Sequence, residues 1–287
     1  MRSRGQGYFY RCGCVGGRHL SMLIQQTFEA LKRQGKKAII PFLTADFPNR
    51  DHFLQLLHAL PNEGASMIEI GIPFSDPMAD GTVIQRTSEQ AIKQGFQLNQ
   101  CLNDVAEFKQ IHPGVPIVLM TYVNPLMQYG MRSFLTDSLT AQVDGLLMVD
   151  APPEHHHRII QDDTPLNMIR LVTPTTDTSR LSVIQDNASG FIYYVSVKGI
   201  TGSQAPDAAI VSKHLSMIKH NIDLPMVIGF GISNAAIAKE MAMISDGVVV
   251  GSSLIKPYLD APEADYSMIT KQQLAFIANM HQVVNHG

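Results

Sequence analysis

The chain has 287 residues, 45% of them hydrophobic and 16% charged, with a formal net charge of −3. That composition fits a well-buried enzyme and excludes disordered and fibrous classes. The slightly acidic balance gives no electrostatic footprint for nucleic acid, and no apolar run approaches the roughly 18–20 residues that a membrane-spanning helix needs.

Residues 1–21 differ from the rest. They hold Arg2, Arg4, Arg11 and Arg18, five glycines and no acid. They lack the apolar stretch of a secretory leader. The expectation is a disordered or non-native N-terminal extension with Met22 as the working start; a short organellar transit peptide is the alternative. Cys12-Gly-Cys14 has no second pair to complete a zinc site. With Cys101 these make three cysteines, too few for a disulfide framework, which points to a reducing compartment; without a recognisable targeting signal the expected location is cytoplasmic, with a plastid as the alternative.

From Met22 onward the chain reads as one domain, 22–287. Leu23, Phe28 and Leu31 start an amphipathic helix. Eight apolar runs then follow: Ala38–Ala45, Met67–Ile72, Pro116–Tyr122, Gly145–Asp150, Met168–Thr173, Phe191–Ser196, Pro225–Phe230 and Gly247–Gly251. Helical patterns separate them, among them His52–Leu60, Val83–Lys93, Leu102–Gln110, Met131–Thr140, Ala208–Lys219 and Ala235–Met243, and Lys271–Val284 reads as a closing helix. Alternating strands and helices imply a parallel sheet with right-handed crossovers. Eight units in a chain of this size favour an α/β fold of the (β/α)8 TIM barrel type, a single domain with an extra N-terminal helix; an open doubly wound sheet is the alternative.

Active sites of such barrels lie at the C-terminal strand ends, and polar and glycine residues collect there. The second run places Glu69 inside an apolar strand. Burial of a carboxyl is expensive and raises its pKa, which makes it a usable proton donor near neutrality. Glu69 is therefore either catalytic or a buried structural acid bonded to a Tyr or to backbone. Asp80 follows in the next loop. It is a second catalytic candidate, or it complements the dipole of a helix that opens with a Thr82…Gln85 capping box.

Later loops add three weaker signals. Gly229-Phe-Gly231 and Gly251-Ser252-Ser253, one strand-and-helix unit apart, suit a phosphate held by backbone N–H groups, although glycines also simply end strands. Gly199-Ile-Thr201-Gly202-Ser-Gln-Ala-Pro206 has the composition of a mobile lid or of an ordinary connecting loop. His155-His156-His157 invites a metal reading. Consecutive side chains converge poorly on one ion, so a solvated helix start is the expectation and no metal is assigned.

The stretch from Glu69 to Gly81 closely resembles the signature of the tryptophan synthase α subunit family. Pro41-Phe-Leu-Thr-Ala, Met120-Thr-Tyr-Val-Asn124-Pro, Thr173-Pro-Thr-Thr, Gly199-Ile-Thr-Gly202, Gly229-Phe-Gly-Ile-Ser233 and Val250-Gly-Ser252 match the family in order. The resemblance implies a carbon–carbon lyase that cleaves indole-3-glycerol phosphate to indole and glyceraldehyde 3-phosphate without a cofactor in this chain. On the matching positions Glu69 would be the main acid/base, and Asp80 would hold the indole N–H. Tyr193 would lie beside Glu69, and Thr201 would reach Asp80. Phe42, Tyr122 and Phe230 would wall the indole pocket, and Gly202, Gly231, Gly251 and Ser252 would bind phosphate.

The resemblance also implies a partner, a β subunit carrying pyridoxal phosphate in an αββα heterotetramer. Pro73, Asp76, Pro77, Asn124 and Pro125 would form the docking surface. One departure concerns the first strand. The family usually has Gly after Thr-Ala, followed by Asp or Tyr, whereas this chain has Asp46-Phe47. That calls into question the contacts of the strand-one loop with the lid or partner.

Overall fold

The computed structural model describes residues 22–160, 164–195, 208–229 and 231–287, with His157 lacking a described side chain. Within them nine parallel strand segments form one sheet. They are β1 (Ala38–Thr44), β2 (Ile68–Gly71), β3 (Ile117–Thr121), β4 (Gly145–Met148), β5 (Asn167–Met168), β6 (Arg170–Val172), β7 (Ile192–Val195), β8 (Met226–Gly229) and β9 (Gly247–Val250). The order across the sheet is β5-β4-β3-β2-β1-β9-β8-β7-β6.

The two ends of that order are consecutive in the chain. β5 pairs with β4 and β6 pairs with β7, and only Ile169 separates them. The Ile169 N–H donates to Leu146 O at 2.9 Å, so the ladder to β4 runs into the break. The sheet thus closes on itself as an eight-membered ring. The fifth apolar run, expected as a single strand, is two short pieces because its pairing passes there from one neighbour to the other.

Several helices match their expected spans. Met131–Thr140 and Ala208–Lys219 are as read from the pattern. The first barrel helix starts earlier, at Arg50, because the Asn49 side chain accepts from His52 N and caps it. The closing helix is longer than expected, Tyr266–His286. Asn124 and Pro125, which the resemblance assigns to the docking surface, lie in the first turn of a short helix, Val123–Tyr129. Proline is tolerated there because first-turn N–H groups have no intrahelical acceptor.

The helix Leu23–Arg33 covers the N-terminal mouth of the ring. It buries Ile24 and Phe28. Phe28 stacks on Phe191, which precedes β7, at 5.8 Å. A Cβ at Gly145, the first residue of β4, would fall 3.1 Å from Ile24 Cδ1. Leu23, expected on the buried face, is only partly covered, and Ile24 takes its place.

Two acids fasten strand starts at this same end. Asp144 Oδ2, just before β4, accepts from Ile117 N at 2.9 Å and from Lys109 Nζ at 2.8 Å. Asp246 Oδ2, just before β9, accepts from Met226 N at 2.8 Å and has Lys219 Nζ 3.8 Å away. In each case the lysine comes from the helix leading into the strand being fastened. The N-terminal end is therefore filled and cross-tied, which leaves the opposite end free for chemistry.

Candidate active site

Alternation along β2 sends Ile68 and Ile70 to one face and Glu69 and Gly71 to the other. Phe42 on β1 and Val118 on β3 are the register partners of Glu69. Glu69 is 2% exposed, and neither carboxylate oxygen has a hydrogen-bond partner among the described residues. A structural acid bonded to tyrosine or backbone would have one, and among the described residues Glu69 has none. Burial, and then the nearby charge of Asp80, push the Glu69 carboxyl up to about 8. Near neutrality Glu69 therefore carries a proton.

Asp80 is also buried but is held differently. Tyr122 Oη donates to Asp80 Oδ2 at 3.0 Å and itself accepts from Ala79 N at 3.0 Å. Burial raises the Asp80 carboxyl to about 6 in spite of the Tyr122 bond, which pulls it down. At pH 7 Asp80 is mainly ionised. Two neighbouring carboxyls with separated titrations are a device for dividing acid and electrostatic roles.

The expected Thr82…Gln85 capping box is absent. Gly81 is the N-cap of the helix Thr82–Lys93, without a side-chain cap bond. The Gln85 amide instead donates backwards to Asp80 O at 2.8 Å and, at 3.5 Å, to Pro77 O. Asp80 points to Tyr122 and not to the helix terminus, because a hydroxyl donor is within reach of its buried side chain.

Aromatic rings complete the surroundings. The Phe42 ring lies over Gly71, where a Cβ would sit 2.5 Å from Phe42 Cζ. Tyr193 on β7 lies over Gly229 in the same way, with 2.1 Å from such a Cβ to its Oη. Burial and the nearby carboxyls of Glu69 and Asp80 raise the Tyr193 phenol well above its ordinary range. Phe42, Tyr122 and Tyr193 thus share one site with the two acids. Thr201, Gly202 and Phe230 lie outside the described residues.

Gly231 follows β8 with φ of 79°, a left-handed conformation that favours glycine. Gly251 precedes the short helix Ser252–Ile255. The two loops are bound together by Ser253 Oγ, which donates to Ile232 O at 2.7 Å. The pattern of glycines gave no sign of this tie.

The Asp80 loop also reaches the surface. Asp76 and Asn124 are exposed, Pro77 and Pro125 partly so, while Pro73 is buried and shapes the loop without offering surface. Phe74 packs on Tyr122 with ring centroids 5.1 Å apart, which links this loop to the start of the Val123–Tyr129 helix. Sequence reasoning missed Met78 and Met127, which are 75% and 68% exposed on the same two segments. Their sequence neighbours, Pro77 and Ala79 beside Met78 and Leu126 beside Met127, gave no signal of that exposure.

Asp46 accounts for the departure after β1. Its φ is 58°, so the site calls for left-handed backbone, which glycine adopts freely and aspartate tolerates better than most residues. Its carboxyl is buried, and burial with the charge of Asp104 raises its pKa. Phe47 turns inward against Tyr258, edge to face at 6.3 Å.

Of the histidine run, His156 Nδ1 lies 2.7 Å from the Arg170 guanidinium. Among the described residues no group of three or more His, Cys, Asp or Glu is placed to hold a metal ion, and no helix is long and apolar enough to cross a membrane.

Residues 28–285 match the family model described as tryptophan synthase alpha chain. The tryptophan synthase alpha chain of Cupriavidus pinatubonensis is 42% identical over 264 residues, 91% of this chain and 98% of that protein. That of Thiobacillus denitrificans is 44% identical over 254 residues, 88% and 93% of the two chains. Among solved structures, the tryptophan synthase subunit alpha of Legionella pneumophila superposes with a TM-score of 0.82 at 34% identity, covering 92% of this chain and 99% of that one. A Mycobacterium tuberculosis tryptophan synthase structure gives 0.83 at 28% identity, covering 94% and 100%. With its closed barrel and its paired buried acids, the chain belongs to the tryptophan synthase alpha chain family.

Proposed function

We propose that this chain cleaves indole-3-glycerol phosphate to indole and glyceraldehyde 3-phosphate by a retro-aldol reaction. The observation that carries the reading is the division of charge at the end of β2. Glu69 is buried with no hydrogen-bond partner among the described residues, which pushes its carboxyl up to about 8, whereas Asp80, oriented by Tyr122, is raised only to about 6.

Glu69 gives its proton to indole C3. The ring nitrogen becomes positive, and Asp80 stabilises that charge from a fixed position. The Glu69 carboxylate then takes the proton of the glycerol hydroxyl next to the breaking bond. The C–C bond electrons return to the ring, which leaves indole and an aldehyde. Tyr193 shapes the space beside Glu69, and Phe42 and Tyr122 wall the indole; the family resemblance would add Phe230 to that wall and give Thr201 a role at Asp80. Gly202, Gly231, Gly251 and Ser252 hold the phosphate through backbone and hydroxyl donors.

The reading assigns no cofactor to this chain. Its partner is a tryptophan synthase β subunit carrying pyridoxal phosphate, in an αββα assembly in the cytoplasm, which condenses indole with serine. Asp76, Pro77, Asn124 and Pro125 offer the docking surface, and Pro73 supports it from beneath. The test is indole release from indole-3-glycerol phosphate by the purified chain, with and without excess β subunit. Release that rises with β supports both chemistry and partnership. Release independent of β would leave a stand-alone lyase, and no release from a folded protein in either condition would overturn the catalytic assignment.

A further inference from the structure

We infer that Gln85 is a positioning residue that ties the partner-facing turn to the carboxyl of Asp80; this rests on the function proposed above. The turn Pro77–Asp80 is closed by Asp80 N donating to Pro77 O at 3.0 Å. Its inner end carries Asp80, and its outer end carries Pro77 and the exposed Met78. One amide spans both ends: Gln85 Nε2 donates to Asp80 O at 2.8 Å and approaches Pro77 O at 3.5 Å.

The helix under this amide is itself anchored. Thr87 Oγ1 meets Thr44 Oγ1 at 2.7 Å. Gln90 Nε2 and Gln94 Nε2 both donate to Pro48 O, at 3.0 and 2.9 Å. The helix is thus fixed by three hydrogen bonds, one to the last residue of β1 and two to Pro48 O in the loop after it, and Gln85 is the side chain through which it grips the loop after β2. On the far side, Tyr122 grips the same turn through Ala79 N and Asp80 Oδ2. A turn held between two fixed donors moves as a unit, so pressure on Pro77 or Met78 is passed to the Asp80 carboxyl. Gln85 does not touch the reacting atoms; it acts through Asp80.

The experiment compares wild type, Gln85→Leu and Gln85→Met for indole release, each alone and with saturating β subunit, together with thermal melting. Both variants keep the side-chain bulk and lose the donor. The expected result is a kcat about tenfold lower, KM within about twofold, and a clearly smaller stimulation by β, at an unchanged melting temperature. A folded variant with kcat and β stimulation within about twofold of wild type would overturn the inference while leaving the proposed function standing. Failure of both variants to fold would overturn it too, in favour of a purely structural glutamine. No release by wild type would remove the proposed function, and the positioning role with it.

Discussion

The two ends of the barrel treat a buried acid in opposite ways. At the N-terminal end, the side chains of Asp144 and Lys109 are 6% and 2% exposed, and Asp144 accepts from Lys109 Nζ and from a backbone N–H. At the C-terminal end Glu69 is equally hidden and accepts from no described residue. A buried charge survives when it is paired and bonded. Without a partner the carboxyl keeps its proton instead. The matched acid makes a fixed structural joint, whereas the unmatched one makes a proton reservoir, and the same burial serves both.

Removing the reservoir should have the largest effect. Glu69→Gln keeps shape and loses the exchangeable proton, so kcat for indole release should fall by about 10²–10⁴ with the fold intact by circular dichroism. Activity within a few-fold of wild type would remove Glu69 from its role. Breaking the joint should instead strike stability. Lys109→Met leaves Asp144 buried without its counter-ion and should cost about 3–5 kcal/mol in urea unfolding, with kcat of the remaining folded protein unchanged.

Stability against pH separates the two acids further. The folded Glu69 carboxyl titrates near 8, and its ordinary value is 4.5. Between these the folded chain holds a proton that the unfolded chain has released. Its contribution is therefore full below about 4.5 and is lost as pH rises towards 8. Glu69→Gln should flatten that fall, and an unchanged slope in the variant would mean that Glu69 is not the group responsible.

A smaller effect is expected from Tyr122→Phe. The kcat/KM profile of wild type should be bell-shaped, with limbs near 6 from Asp80 and near 8 from Glu69. The Tyr122 bond lowers the Asp80 value, so its loss should move the acid limb upward and leave the basic limb in place. The least effect belongs to Lys219→Met. Its side chain and that of Asp246 are 46% and 37% exposed at 3.8 Å, so the change should cost about 0–1 kcal/mol, against several for the buried counterpart.

Much of this architecture could be read from residue patterns, because alternating apolar runs and helical periods survive in any parallel barrel. Glu69 stood out for the opposite reason, since it breaks the pattern of its own strand. What escaped reading depends on distant partners. Asp80 could be read as a catalytic acid or as part of a helix start, and the bond from Tyr122, 42 residues away, that orients it had no local sign. Asn124-Pro125 has turn chemistry but enters a helix, because proline fits a first turn as well as a corner. The split of the fifth strand at Ile169 follows from ring closure, which no local window contains. The proposed lid, 199–206, lies outside the described residues.

The fastening of strand starts by Asp144 and Asp246 has a further consequence. Each acid stands immediately before a glycine that opens a strand, each takes the first N–H of the preceding strand, and each faces a lysine from the helix leading into it. β4 and β9 lie on opposite sides of the ring, four strands apart in either direction. Opposite walls of the ring are thus set in register by the same joint, one sealed from water and one open to it, so a rise in salt should loosen the β8 side before the β3 side.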